Sequence, residues 1–168
     1  QLSGTNGNDL YLPGDTSSFG EDVIFASLGS DTIDFAGAGP NGGYYSLGYW
    51  PLGDSVNLTV TIGATSGTIV KDGIGTDTLV NLDAIDGDAG GIGIYAGYGG
   101  NDSFDIDTSG VEFIEIGVGG GTDTITFTGT GVAKVAFDIS NGYNGVNVDA
   151  SLGIAFEVYG TASLTVTG

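Results

Sequence analysis

Residues 97–127 read GYGGNDSFDIDTSGVEFIEIGVGGGTDTITF, and the rule by which the rest of the chain is built can be taken from this stretch. Gly100-Asn101-Asp102-Ser103-Phe104 returns 21 residues later as Gly121-Thr122-Asp123-Thr124-Ile125. After each aspartate, apolar and polar residues alternate, Phe104 and Ile106 in one copy and Ile125 and Phe127 in the other. That period of two is the pattern of a strand with one buried face. The glycine allows the backbone positive φ, and aspartate is at home in turns, so each copy reads as a tight turn that launches a short strand.

Working outward, the pattern of glycine, any residue, aspartate, any residue and a large apolar side chain occurs six times. The copies are Gly7/Asp9/Tyr11, Gly20/Asp22/Ile24, Gly29/Asp31/Ile33, Gly75/Asp77/Leu79, Gly100/Asp102/Phe104 and Gly121/Asp123/Ile125. Composition alone would supply about one match in a chain this rich in glycine and aspartate, so the repeat is real. Asp22 and Asp31 lie nine residues apart, whereas Asp102, Asp123 and Asn144 recur every 21. Apolar columns keep the same step: Phe104, Ile125 and Val146; Ile106, Phe127 and Val148; Val111 and Val132; Ile114, Val135 and Phe156; Ile116, Phe137 and Val158.

These columns predict an all-β fold, a parallel β-solenoid of the β-roll or β-helix kind, with rungs of about 21 residues, each two strands and two turns. Strands are expected near 31–35, 56–62, 102–106, 123–127, 134–139 and 145–148, and helix is expected to be negligible. Between residues 36 and 54 the repeat breaks into a run with two prolines, Pro40 and Pro51, and four aromatics, which reads as a loop excursion. Residues 1–168 are expected to form a single domain.

Composition narrows the chemistry. Twenty-one acidic residues face two basic ones, Lys71 and Lys134, for a formal net charge of −19. Nucleic acid and anionic membrane are therefore poor partners. With no arginine or histidine, internal salt bridges are not expected to offset the self-repulsion, and bound cations are the natural remedy. Seventeen of the acids are aspartate, which suits hard, oxygen-preferring ions, while the absence of His, Cys and Met removes the usual ligands of zinc, copper and haem. No apolar run approaches the roughly 20 residues of a membrane helix, and insertion into a membrane is not expected.

The segments GTNGNDLYL, SSFGEDVIF, ASLGSDTID, GYGGNDSFD and VGGGTDTIT resemble the nonapeptide of RTX, or haemolysin-type, calcium-binding repeats. The resemblance is strong from Gly4 to Phe35 and from Asp72 to Phe127 and weak elsewhere. It implies secretion, with calcium as cofactor caged between stacked turns. By similarity the ligands are first Asp102 and Asp123, then Asp9, Asp22, Asp31 and Asp77, with Asp9 and Asp31 on one edge and Asp22 on the opposite one. The chain departs from a continuous array, since Gly93 stands where the turn before Asp102 would want its aspartate. A Gly-x-Asp turn also serves as an ion-free Asx-type turn, so the motif leaves both readings open.

The function expected on these grounds is a secreted structural module that folds on calcium and assembles with copies of itself, end to end or laterally, into a filament, surface layer or matrix. Leu2 begins almost inside the first repeat, and Leu164 and Val166 finish in an alternating strand, so neither end looks capped. The alternative is an RTX secretion and folding module from a larger type I secreted toxin, protease or adhesin. Catalysis is not expected, because carboxylates would have to act with no arginine or histidine beside them. Tyr44, Tyr45, Tyr49 and Trp50 are candidates for docking a glycan or a neighbouring copy.

Overall fold

The computed structural model of the chain describes residues 1–14, 20–39, 43–53, 55–85, 90–97, 99–107, 109–111, 113–118 and 121–128, with the backbone of four further strands between 134 and 167. The strands are β1 (Leu2–Ser3), β2 (Leu10–Tyr11), β3 (Glu21–Phe25), β4 (Thr32–Asp34), β5 (Tyr44–Gly48), β6 (Leu58–Ile62), β7 (Ser66–Lys71) and β8 (Gly75–Val80). They continue as β9 (Gly91–Tyr95), β10 (Ser103–Asp107), β11 (Phe113–Gly117), β12 (Asp123–Thr128), β13 (Lys134–Asp138), β14 (Val146–Asp149), β15 (Ala155–Tyr159) and β16 (Leu164–Thr167). Among the described residues helix is confined to single 3-10 turns at Phe35–Gly37, Trp50–Leu52 and Leu82–Ala84, and the protein is all-β. Dense glycine and β-branched residues exclude longer helices.

Two sheets result. One has seven strands in the order β1-β3-β5-β9-β11-β13-β15, every pair parallel. The other has nine, in the order β16-β14-β12-β10-β6-β7-β8-β4-β2. In this second sheet β7 runs antiparallel to both β6 and β8, so the sheet is mixed rather than wholly parallel as the repeat led us to expect. The chain changes sheet after every strand except along β6, β7 and β8, which follow one another as a meander.

Parallel neighbours are separated by 21 residues where Ile114 faces Val135 and Phe104 faces Ile125, by 22 where Leu2 faces Ile24, and by 23 where Glu21 faces Tyr44. The expected columns through Ile114, Val135 and Phe156 and through Ile116, Phe137 and Val158 form as written. Two columns need correction: Ile125 pairs with Val148, not Val146, and Phe127 therefore does not pair with Val148, so the register slides by two residues. A slide of two keeps the alternation in phase, which is why the apolar pattern did not reveal it. Val132 and Asn144 lie outside the described residues.

The expected loop excursion at 36–54 is also corrected. Tyr44–Gly48 is a strand in the interior of the seven-stranded sheet, between β3 and β9. Tyr45 and Leu47 point inward, 0% and 1% exposed. Prolines and glycines on either side made a five-residue strand look like part of a loop. The true departure from the repeat is the meander, where Asp72-Gly73 turns β7 back onto β8 with Gly73 at φ 72°.

The core lies between the inward faces. Ile24, Tyr45, Leu47, Ile92, Ile94, Ile114 and Ile116 come from the seven-stranded sheet, and Ile33, Leu79, Ile69, Val60, Ile62, Phe104, Ile106, Ile125 and Phe127 from the other. Burying each such side chain contributes about 1.5–3 kcal/mol toward offsetting the ordering of the strands. Where turns stack, backbone approaches backbone. Gly100 and Gly121 adopt φ 127° and 126°, and a Cβ on Gly121 would overlap the Gly100 carbonyl oxygen.

Replacing Gly121 by alanine should therefore lower stability by about 1–3 kcal/mol or more, through backbone strain and overlap together. Gly7→Ala, where the nearest atom to a new Cβ is 3.7 Å away, should stay within about 0.5 kcal/mol of the parent. Urea unfolding of the two variants checks the contrast.

Candidate cation site: a ladder of turn aspartates

Five of the six repeat aspartates, all but Asp22, sit where a turn enters the nine-stranded sheet, and the carboxylates of Asp31, Asp77, Asp102 and Asp123 reach back to the neighbouring strand. The Asp9 N–H donates to Asp31 Oδ1 at 3.0 Å, and the Asp31 N–H donates to Asp77 Oδ1 at 3.0 Å. On the far side of the meander the Leu58 N–H donates to Asp102 Oδ1 at 2.7 Å, and the Asp102 N–H to Asp123 Oδ1 at 2.8 Å. Backbone bonds accompany them, from Thr32 N–H to the Asp9 carbonyl, Thr78 to Asp31 and Thr124 to Asp102.

A second ladder runs the opposite way through the residue between glycine and aspartate. Asn8 Oδ1 accepts from the Ser30 N–H, Ser30 Oγ from the Thr76 N–H, Asn57 Oδ1 from the Asn101 N–H and Asn101 Oδ1 from the Thr122 N–H. The pattern treated this position as free, yet side-chain acceptors fill it at Asn8, Ser30 and Asn101, and Asn57 takes the same place before β6. Turn N–H groups that a strand cannot pair are thus satisfied without an ion.

The two stretches of aspartate ladder differ in what meets the second carboxylate oxygen. Asp9 Oδ2 accepts from the Thr5 N–H at 2.6 Å. Asp31 Oδ2 accepts from Ser27 Oγ at 2.9 Å, and Asp77 Oδ2 from the Tyr49 hydroxyl at 2.9 Å. Lys71, itself 1% exposed, places Nζ 2.5 Å from Asp77 Oδ1, 3.5 Å from Asp31 Oδ2 and 2.8 Å from the Ser27 carbonyl. One ammonium thus partly offsets two buried carboxylates at this point, while the net charge of −19 stands. The sign was available in sequence: Gly67, Ile69 and Lys71 share the inward phase of β7, so the lysine had to enter the core.

Asp102 and Asp123 have no such company. They are 2% and 0% exposed, and their Oδ2 atoms are the buried side-chain polar atoms left without a hydrogen-bond partner among the described residues. An unpaired buried carboxylate oxygen is costly unless the group is neutralised. Burial raises the Asp102 carboxyl to about 6 although the Leu58 N–H pulls the other way, and burial raises Asp123 to about 6 although the Asp102 N–H lowers it. Burial also raises Asp77, against the opposing pull of Lys71.

Of the six aspartates singled out in sequence, five join the two stretches of ladder and Asp22 does not. Asp22 lies on β3 in the seven-stranded sheet, paired in register with Tyr45, on the opposite side from Asp9 and Asp31 as expected. Among the described residues no three carboxylates converge on one point, so an ion at Asp102 and Asp123 would need further oxygens from backbone or water. Two carboxylates and unpaired oxygens fit a hard cation there; at Asp31 and Asp77 the ammonium already stands.

The aromatic group from 44 to 50 is divided by the strand alternation. Tyr45 and Tyr49 are buried, 0% and 2% exposed, and are not available to a glycan, which corrects that part of the expectation. Tyr44 and Trp50 lie on the outer face with Phe25, Tyr95 and Phe113. There the Tyr44 hydroxyl meets the Tyr95 hydroxyl at 2.9 Å, and the two donate to Glu115 Oε2 and Oε1 at 3.1 and 2.7 Å. Asp105 is exposed and Asp107 accepts from the Ser109 N–H and hydroxyl.

No protein-family model matches the chain, and neither a curated protein nor a solved structure is detectably similar to it.

Two outcomes follow. Tyr49→Phe removes the donor to Asp77 Oδ2 and should cost about 1–3 kcal/mol in urea unfolding. With a chelator present, Asp102 and Asp123 hold their protons more tightly folded, near 6, than unfolded, near about 3.9. Their contribution to stability is then full below about pH 4 and declines as pH rises through about 6. A series of unfolding midpoints between these limits should fall with pH, and the Asp102→Asn, Asp123→Asn double variant should lose that part of the slope.

Proposed function

We propose that the chain is a calcium-binding structural module, a β-solenoid that is completed by calcium outside the cell and associates with further copies of itself. The observation that carries the reading is the pair of buried, unpartnered oxygens at Asp102 and Asp123. Two adjacent buried carboxylates ask for positive charge, and the described residues contribute none there. Calcium accepts carboxylate, carbonyl and water oxygens in flexible geometry, which suits a site whose remaining donors are backbone. A site with two carboxylates should bind weakly, with a Kd on the order of 10⁻⁴–10⁻³ M, the range of extracellular modules.

The solenoid reading is supported by the alternation of the chain between two sheets and by registers of 21–23 residues between most parallel neighbours. The turn motif, which resembles RTX repeats, agrees with it. Self-association is supported by Leu10 and Leu12, 62% and 65% exposed on and beside β2, the outermost strand of its sheet. A net charge of −19 opposes contact between copies, and divalent ions would relieve that repulsion. The outer-face rings of Trp50, Tyr44 and Tyr95 remain a place where a sugar ring could stack.

Calcium at millimolar concentration should raise the unfolding midpoint of the parent chain and leave the Asp102→Asn, Asp123→Asn variant where it was. Light scattering should rise with calcium and fall on adding EGTA. An unchanged midpoint in calcium would sink the metal site, and a monomer at millimolar calcium would sink the assembly.

A further inference from the structure

Lys71 stands where a bound cation would stand. Its Nζ is held by three oxygens from three positions, Asp77 Oδ1, Asp31 Oδ2 and the Ser27 carbonyl, and the Ser27 hydroxyl and Tyr49 hydroxyl complete the partners of the same carboxylates. Two buried carboxylates and a carbonyl are a donor set for a hard ion, not for a neutral side chain. The lysine reaches it from β7, the strand that the repeat does not predict and that runs against its neighbours. Leu58 of β6 pairs in register with Lys71, and its N–H donates to Asp102, the residue before β10, so the buried ammonium and the unpaired carboxylate flank β6 on its two sides.

We infer that the Ser27–Asp31–Asp77 cluster is a cation site closed by the chain's own ammonium, which the β6–β7–β8 meander delivers as a tethered substitute for a metal ion. One stretch of the aspartate ladder then carries its counter-ion within the sequence, and the other, at Asp102 and Asp123, takes it from solution. Metal dependence is thereby confined to the side of the meander that Lys71 does not reach. The inference shares with the proposed function the assignment of Asp102 and Asp123 as the open site, but the closed site stands on its own contacts.

The test removes the ammonium and asks whether calcium replaces it. Lys71→Ala opens space and leaves two carboxylates unbalanced. In EGTA it should be markedly less stable than the parent; in millimolar calcium it should recover, binding one more calcium per chain than the parent in equilibrium dialysis. The recovery should persist with Asp102→Asn and Asp123→Asn present, and matched sodium chloride should not reproduce it. Lys71→Gln, which keeps the chain length and a donor but not the charge, should lose stability in both media and gain no calcium.

A Lys71→Ala protein that binds no additional calcium, that stays unfolded in calcium, or that matches the parent in EGTA overturns the inference. So does a Lys71→Gln protein as stable as the parent. A parent chain that binds no calcium while Lys71→Ala binds one overturns the open site at Asp102 and Asp123 and leaves the closed one standing.

Discussion

The bond between an aspartate Oδ1 and the N–H of the equivalent position one strand earlier is the constraint on which the nine-stranded sheet depends. Turns stacked directly over one another present N–H groups that no β-ladder can pair, and a buried N–H without a partner is expensive. Asp31, Asp77, Asp102 and Asp123 each cover one of these groups. The carboxylate must be short to do so, since the acceptor lies at the mouth of its own turn. This accounts for aspartate rather than glutamate at these four positions.

The same bond creates the electrostatic problem. It uses one oxygen of each carboxylate and buries the other, leaving a negative charge in a medium where charges are poorly screened. Asp9, near solvent, settles it with Thr5; Asp31 and Asp77 settle it with Ser27, Tyr49 and Lys71. Asp102 and Asp123 do not settle it with any described side chain. The functional reading grows from that inequality between two otherwise parallel stretches of ladder.

Much of this was legible in the sequence because period two and the Gly-x-Asp turn are local signals. Phe104 over Ile125 and Ile114 over Val135 could be paired by counting alone. Tyr44–Gly48 was hidden because flanking glycine and proline outweighed a strand of five residues, and the slide that puts Val148 opposite Ile125 was hidden because a shift of two preserves the alternation. Lys71 was counted as too few charges to matter, yet the count says nothing about position. One ammonium held against two carboxylates at full burial outweighs many exposed ones. The acceptors at Asn8, Ser30, Asn57 and Asn101 escaped notice because their role is visible only once the turns are stacked.

The inserted meander gives one sheet nine strands against seven in the other. At about 4.8 Å per strand the longer sheet exceeds the shorter by roughly 10 Å, and the difference is concentrated where β6, β7 and β8 together span what β5 spans alone. A stack that kept both sheets in step would have to fan open there, with the nine-stranded sheet on the longer side. Copies joined along that direction would repeat the bend at every subunit, and a row of them would wind into a coil instead of extending as a straight rod.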